Sequence, residues 1–184
     1  MDLDIIPFDV LSFKVKHSRD VRAGGIKAVD ICTSHFLQKG AWNDVPSHAL
    51  SLNFEDDKAI IRGEPNIKWA FTAYENVGQT IASVISKDPS TLPDKIRVWS
   101  DKITQEQLLN RMMGQDYPRK FISYEDSLKE CKERIESVGI RAEDFLLYTQ
   151  TVSASGLLDF EWDSKELINP NESLFKWIKF ESTK

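Results

Sequence analysis

The sequence predicts an α/β fold carrying a parallel sheet, and three observations predict it. The segment from Lys14 to Phe36, KVKHSRDVRAGGIKAVDICTSHF, reads as a helix, a glycine stop and a short, mostly buried strand. Ala28, Val29 and Ile31 make that strand apolar enough to be covered by other elements, as the strands of a parallel sheet are. Downstream, short apolar runs alternate with amphipathic helices, Ile67–Thr72 before one helix and Lys95–Trp99 before the next.

Taken in order, Ile5-Ile6 is a short apolar piece stopped by Pro7, and a helix follows to about Arg22. Val10, Phe13, His17 and Val21 recur at helical spacing and define its inner face, with Lys14 at the margin and Lys16 and Arg19 pointing away. Ala23-Gly24-Gly25 ends the helix, because glycine takes the left-handed C-terminal conformation without steric cost. The strand Ile26–Cys32 comes next. Ala49–Phe54 and Lys58–Arg62 read as two strands around the turn Glu55-Asp56-Asp57, and Ile67–Thr72 as a third. A helix from about Ala73 to Ser86 has Val77, Ile81, Val84 and Ile85 as its apolar stripe. Thr104 to Met113 is a helix opened by a capping box, Thr104 with Gln107. Lys120–Ile122 is a further strand. Ser123 opens a helix with Leu128, Cys131, Ile135 and Val138 on one side, and Ala142 to Ser153 is another. Trp162 to Asn171 reads as irregular, and Leu174, Trp177 and Ile178 as a last short helix.

The bulk properties narrow the function classes. The chain has 184 residues, 41% hydrophobic and 29% charged, enough to bury a core and too apolar for intrinsic disorder. Its net charge of −5, from 24 basic and 29 acidic residues without a basic cluster, argues against nucleic acid as a partner. No apolar run approaches the roughly 18 residues of a membrane span, and Met1–Asp4 is acidic where a secretory signal would be basic. Cys32 and Cys131, distant in sequence, read as reduced thiols of a cytoplasmic protein.

The chemistry-bearing residues are few. Neither G-x-G-x-x-G nor G-x-x-x-x-G-K-[ST] occurs among the eight glycines, and Gly24-Gly25 follows a helix instead of opening one. His17, His35 and His48 show no metal-ligand spacing with each other or with the cysteines, so no metal site is expected. Lys14 stands out. An ammonium at the edge of an inner face either snorkels to water or meets an acceptor in a cleft, where desolvation can tune it for acid–base work.

Several motifs carry a resemblance. Lys14, Gly25-Ile26 and Phe36 fill, in order, a pattern of helix lysine, small-Gly-Ile step and strand ending near phenylalanine. Glu75-Asn76-Val77-Gly78 resembles an E-D-I-G helix start, and Asp88-Pro89-Ser90-Thr91-Leu92 a D-P-[RS]-T-L loop. Ile103-Thr104 and the helix after them resemble an S-x-x-E-L start, and Glu166–Pro170 followed by Trp177 the C-terminal end of fungal members. Together these resemble the NmrA-like and isoflavone-reductase-like family of atypical short-chain dehydrogenases/reductases, over about Ile5 to Trp177. Asn76 stands where the family usually has aspartate.

The resemblance implies the C-terminal portion of an NAD(P)-binding Rossmann-like fold with a small α+β substrate lobe, lacking the first strands and the glycine-rich loop. Residues 1–40 would be the late part of the Rossmann-like domain and 41–184 the part with substrate-lobe elements. It implies an NADP (or NAD) cofactor, Lys14 as catalytic and cofactor-binding residue near the nicotinamide, and a small-molecule substrate lined by Thr33, Ser34, His35 and Phe36. Other family members are non-catalytic dinucleotide-sensing or protein-binding regulators, which is the alternative. Two consequences are expected for a chain without the phosphate loop and first strands: negligible NADPH binding on its own, and self-association through an exposed sheet edge.

Overall fold

The computed structural model describes residues 9–36, 53–55, 57–160 and 162–180, with backbone alone at 9–12, 14 and 53–55. Ile5-Ile6 and the first part of the Ala49–Phe54 strand lie outside these residues. The chain forms two compact units, one from residues 1–37, 70–101 and 160–184, the other from 38–69 and 102–159. The fold is α/β, with both parallel and antiparallel pairing.

In the first unit, α1 (Asp9–Ala23) precedes β1 (Asp30–Cys32) and β2 (His35–Phe36). Gly25, at φ +76°, makes the turn that ends α1. β1 pairs in parallel with β6 (Lys95–Arg97), and β2 in parallel with β5 (Lys68–Thr72). The ladder continues past β6, where the Val98 amide donates to the Cys32 carbonyl at 3.1 Å. β5 lies between β2 and β7 (Asp101–Thr104) in strand order. β5 is buried from Trp69 to Thr72, so both of its faces are covered.

α2 (Tyr74–Ile85) contributes Val84 to an apolar core with Leu92, Ile96, Val98, Ile168 and Trp177. Its buried face differs from the expected stripe. Asn76, Thr80 and Val84 face inward, whereas Ile81 is 45% and Ile85 77% exposed. The reason is Asn76, which makes four hydrogen bonds with no solvent exposure. Its oxygen accepts from the Ser100 hydroxyl at 2.7 Å and the Ile178 amide at 2.8 Å. Its nitrogen donates to the Lys176 carbonyl at 2.9 Å and to Gln79 at 2.8 Å. One backbone donor and one backbone acceptor thus fix which way the amide points.

The C-terminal segment follows from this. Residues 174–178 are not helical, because their backbone groups are committed to asparagine side chains. Buried Asn169 donates to the Phe175 carbonyl at 2.7 Å and accepts from the Leu174 amide at 2.9 Å, and Asn76 takes the next groups along. The short helix lies earlier, as α6 (Lys165–Ile168), within the stretch read as irregular. α1 also departs from expectation: Phe13 is 68% exposed.

In the second unit, β3 (Asn53–Glu55) and β4 (Lys58–Arg62) form the expected antiparallel pair, and β8 (Arg119–Ile122) pairs in parallel with β4. Central β4 is buried from Ala59 to Arg62. Among the described residues, this unit also holds the α-helices α3 (Gln105–Met113), α4 (Tyr124–Val138) and α5 (Phe145–Ala154). The Thr104–Gln107 capping box closes in both directions, at 3.1 and 2.8 Å. Ser123 caps α4 by accepting the Asp126 amide at 3.0 Å. Gly63 bends the chain at φ +88° where the Ala154 carbonyl would stand 2.8 Å from any Cβ, so no side chain fits there.

Arg62 is the one strongly buried cation of this unit among the described residues, at 3% exposure. It forks onto Glu130 at 2.6 and 3.2 Å and reaches Ser127 at 3.2 Å, while its carbonyl accepts from Gln105 at 2.8 Å. Glu130 is half exposed, so water solvates it if the arginine is lost. The reverse does not hold, because Arg62 without Glu130 is an uncompensated buried charge.

Two stability predictions follow from these two residues. Glu130→Ala is expected to cost about 3 kcal/mol and Arg62→Met distinctly less; urea unfolding of both variants checks the order, and the opposite order would contradict the account. Asn76→Asp is expected to cost about 2–3 kcal/mol at pH 7, because a carboxylate cannot donate to the Lys176 carbonyl and is buried charged. Burial would raise that carboxyl's pKa above its unfolded value, so the deficit should shrink as pH falls toward 5. A variant as stable as the parent at pH 7 would remove Asn76 from its central place.

Candidate functional site

Thr33, Ser34, His35 and Phe36 follow directly from the carboxyl end of β1, where the chain steps from its pairing with β6 to its pairing with β5. Open α/β sheets bind ligands at the carboxyl ends of their strands, where neighbouring connections diverge. Ser34 makes the step in the left-handed region, at φ +57°, a conformation that costs a non-glycine residue free energy. The fully buried Thr72 holds the step in place, its hydroxyl donating to the Thr33 carbonyl at 2.5 Å, with the Val98 carbonyl at 3.4 Å. The Ser34 hydroxyl oxygen is buried and makes no hydrogen bond within the protein.

The two aromatic members are set by the strand alternation. His35 lies against Phe71, ring centroids 5.7 Å apart, and Phe36 against Tyr74 at 4.9 Å. His35 is half-buried as a residue, but its Nε2 is shielded from solvent. Burial pushes its imidazole down from the usual 6.5 to about 4, so the ring is neutral at physiological pH.

Lys14 lies in the second turn of α1, and its side chain is outside the described residues. The backbone still locates its position. The Ser18 hydroxyl donates to Asp30 at 2.5 Å, and Arg22 donates to Asp30 at 2.8 Å and to the Ala28 and Asp94 carbonyls at 3.0 and 2.9 Å. The C-terminal half of α1 therefore lies beside the start of β1. Lys14 precedes Ser18 by one helical turn, about 6 Å along the axis. Burial raises the Asp30 carboxyl, but the Ser18 and Arg22 contacts outweigh it and leave its pKa below the ordinary value.

The structure thus places Thr33, Ser34, His35 and Phe36 in succession at one strand end, while the side chain of Lys14 lies outside the described residues. Thr72, which holds the Thr33 carbonyl, is not anticipated by the sequence: it is one hydroxyl closing an apolar run, with nothing local to mark it. Among the described residues no cluster of histidine, cysteine and carboxylate side chains could hold a metal ion. No helix among them is long and apolar enough to cross a membrane.

The shift at His35 sets a pH dependence. Its folded pKa lies below the unfolded one, so its contribution to stability is complete above about 6.5. That contribution is lost as pH falls toward 4, where the folded ring also takes its proton. The melting temperature of the parent relative to His35→Gln should fall between pH 7 and pH 4. A difference that does not change with pH would mean the ring is not held neutral by burial.

Against known proteins, no family model matches the sequence, and no curated protein does. The fold is similar to that in the crystal structure of an isoflavone reductase, with a TM-score of 0.64 at 20% sequence identity. The match covers 94% of this chain and 56% of that one, so the chain spans little more than half the length of the reductase it resembles. At this identity the likeness is one of fold: the chain is an α/β protein whose architecture matches part of a reductase fold.

Proposed function

We propose that the chain forms the substrate side of an NAD(P)-dependent oxidoreductase of the isoflavone-reductase and NmrA-like kind, acting on a small molecule. The observation that carries this reading is the strand end itself. Thr33–Phe36 follow the carboxyl end of a strand, the position at which α/β sheets receive their ligands, with one backbone-strained serine and one neutral, half-buried histidine. Similarity in fold to an isoflavone reductase supports the same reaction class.

Within that reading, Lys14 gives or takes a proton at the substrate, and Thr33, Ser34, His35 and Phe36 line it. A nicotinamide cofactor, when bound, supplies the reducing equivalents. The glycine pair does not fit the phosphates of such a cofactor. The Gly24 and Gly25 amides are already bonded to the Asp20 and Arg22 carbonyls, at 3.1 and 2.9 Å, and serve only to close α1.

The test joins this chain to the dinucleotide-binding domain of an isoflavone reductase and follows NADPH oxidation with a panel of enones and aryl ketones. Lys14→Ala is expected to lower turnover about 10²–10⁴-fold with thermal unfolding unchanged. Lys14→Arg should not restore it, because a guanidinium does not release its proton near neutral pH. Activity surviving Lys14→Ala within a few-fold would remove the lysine from the chemistry. NADPH binding without turnover on any substrate would favour a non-catalytic, dinucleotide-sensing regulator.

A further inference from the structure

A second feature of the first unit lies on the other face of β6. Along that strand Ile96 and Val98 point into the apolar core, so Arg97 and Trp99 point the opposite way. The chain that returns at residue 160 covers them. The Ser164 amide donates to the Arg97 carbonyl at 2.7 Å, and the Ser164 hydroxyl accepts the Arg97 amide at 3.2 Å, closing the outer edge of β6. The result is an alternating stack of cations and rings. The Arg97 guanidinium lies 4.4 Å from the centre of the Trp162 ring and 5.3 Å from that of Phe160. Phe160 meets Trp99 at 5.9 Å, and the Lys165 ammonium lies 5.3 Å from Trp99 and 4.7 Å from Trp177.

The ionic contacts of this stack set it apart. Among the described residues, the other half-buried or buried arginines are held by carboxylates: Arg22 by Asp30, Arg62 by Glu130, Arg119 by Glu106 and Arg134 by Asp144. Neither Arg97 nor Lys165 has an ion pair or a side-chain hydrogen bond there, and the Arg97 Nε is buried without an acceptor. Of the carboxylates beside the stack, Asp163 accepts the Lys165 backbone amide at 2.9 Å and Glu166 the Asn171 backbone amide at 3.1 Å. Aromatic faces offset part of the cost of desolvating a cation, but do not take the place of a carboxylate as hydrogen-bond acceptor. A third cation, Lys179, donates to the Ser100 carbonyl at 3.1 Å in the same unit. Burial, and then the charge of Lys179, lowers the Lys165 ammonium from its ordinary value. Trp162 leaves one side of the stack open to solvent, at 47% exposure.

We propose that Arg97 and Lys165, held by the rings of Trp99, Phe160, Trp162 and Trp177, form a binding site for the oxyanion of a small molecule, a carboxylate or a phosphate. The two cations supply the charge and the unused donors. The Arg97 guanidinium, set against the rings of Trp162 and Phe160, can present its terminal nitrogens as a fork, the geometry that carboxylate and phosphate oxygens match. The rings hold both cations in place before the ligand arrives, which lowers the ordering cost of binding. The site stands on residues other than Lys14 and Thr33–Phe36, and its success or failure is independent of the reductase reading.

The experiment titrates the 184-residue protein separately with inorganic phosphate and with benzoate, sodium chloride holding ionic strength constant, and follows tryptophan fluorescence and melting temperature. Saturable binding of at least one probe is expected, with a rise in melting temperature that chloride does not reproduce. Saturation by phosphate alone would identify a phosphate ligand, by benzoate alone an aryl carboxylate, and by both a general oxyanion site. Arg97→Met combined with Lys165→Met should weaken binding at least tenfold. Should that pair fail to fold, Arg97→Lys keeps the charge and removes the fork, and is expected to weaken binding several-fold. Absence of saturation with both probes, or parent-like affinity in the folded variants, would overturn the proposal.

Discussion

The first unit depends on the amide of Asn76. Its four hydrogen bonds join the start of α2, the chain end beyond β6 at Ser100, and the C-terminal strip at Lys176 and Ile178. Ser100 passes the connection on by accepting the Ala73 amide at 3.0 Å, just ahead of the helix that bears Asn76. Inside a low-dielectric core such a closed set of partners makes each member costly to disturb, because any break leaves a buried donor or acceptor bare. Asparagine can both donate and accept at this point, whereas an ionised carboxylate can only accept. The resemblance puts aspartate here, so this chain solves its local geometry with a different inventory of hydrogen-bonding groups.

The second unit uses charge for a similar purpose. Arg62 sits at the end of β4, and its side chain, its carbonyl and the hydroxyl pair Ser127–Thr151 at 2.8 Å connect the strand to α3, α4 and α5. A buried ion pair of this type contributes little net free energy compared with apolar packing. Its partners Ser127 and Glu130 set which face of α4 meets the strand. Beside it, the absence of a Cβ at Gly63 lets α5 approach β4 closely.

Local signals in the sequence were enough for local structure. The glycine pair after α1, the Thr104–Gln107 box and the Ser123 cap all act within a few residues, and each helix end was found where they place it. The fold class was legible for the same reason, through the alternation of strand runs and helices. Where partners lie far apart, pattern misled. Ile81 and Ile85 look like a core stripe, yet the helix is rotated by an asparagine whose partners are about 100 positions away. Leu174, Trp177 and Ile178 have helical spacing, yet two asparagines capture the backbone bonds a helix would need. The candidate site shows the same division. Thr33–Phe36 are contiguous and could be read from the chain, but Thr72, which sets their geometry, could not. The cation–ring stack joins residues near 97 to residues near 165, and no spacing rule connects them.

The composition of the first unit from three separated stretches has a consequence for how the protein comes into being. The second unit possesses all of its residues once Asp159 has left the ribosome, while the first still awaits its third stretch. Until Lys176 and Ile178 emerge, Asn76 stands in a half-built core with its backbone partners unsynthesised, and the apolar surface around Val84 and Ile96 has no Ile168 or Trp177 to cover it. Contacts spanning so many residues also carry the largest loop-closure cost and form late. Residues 168–178 therefore act as a clasp on the first unit, supplying the partners of Asn76 and the cover of its core after every residue of the second unit has been made.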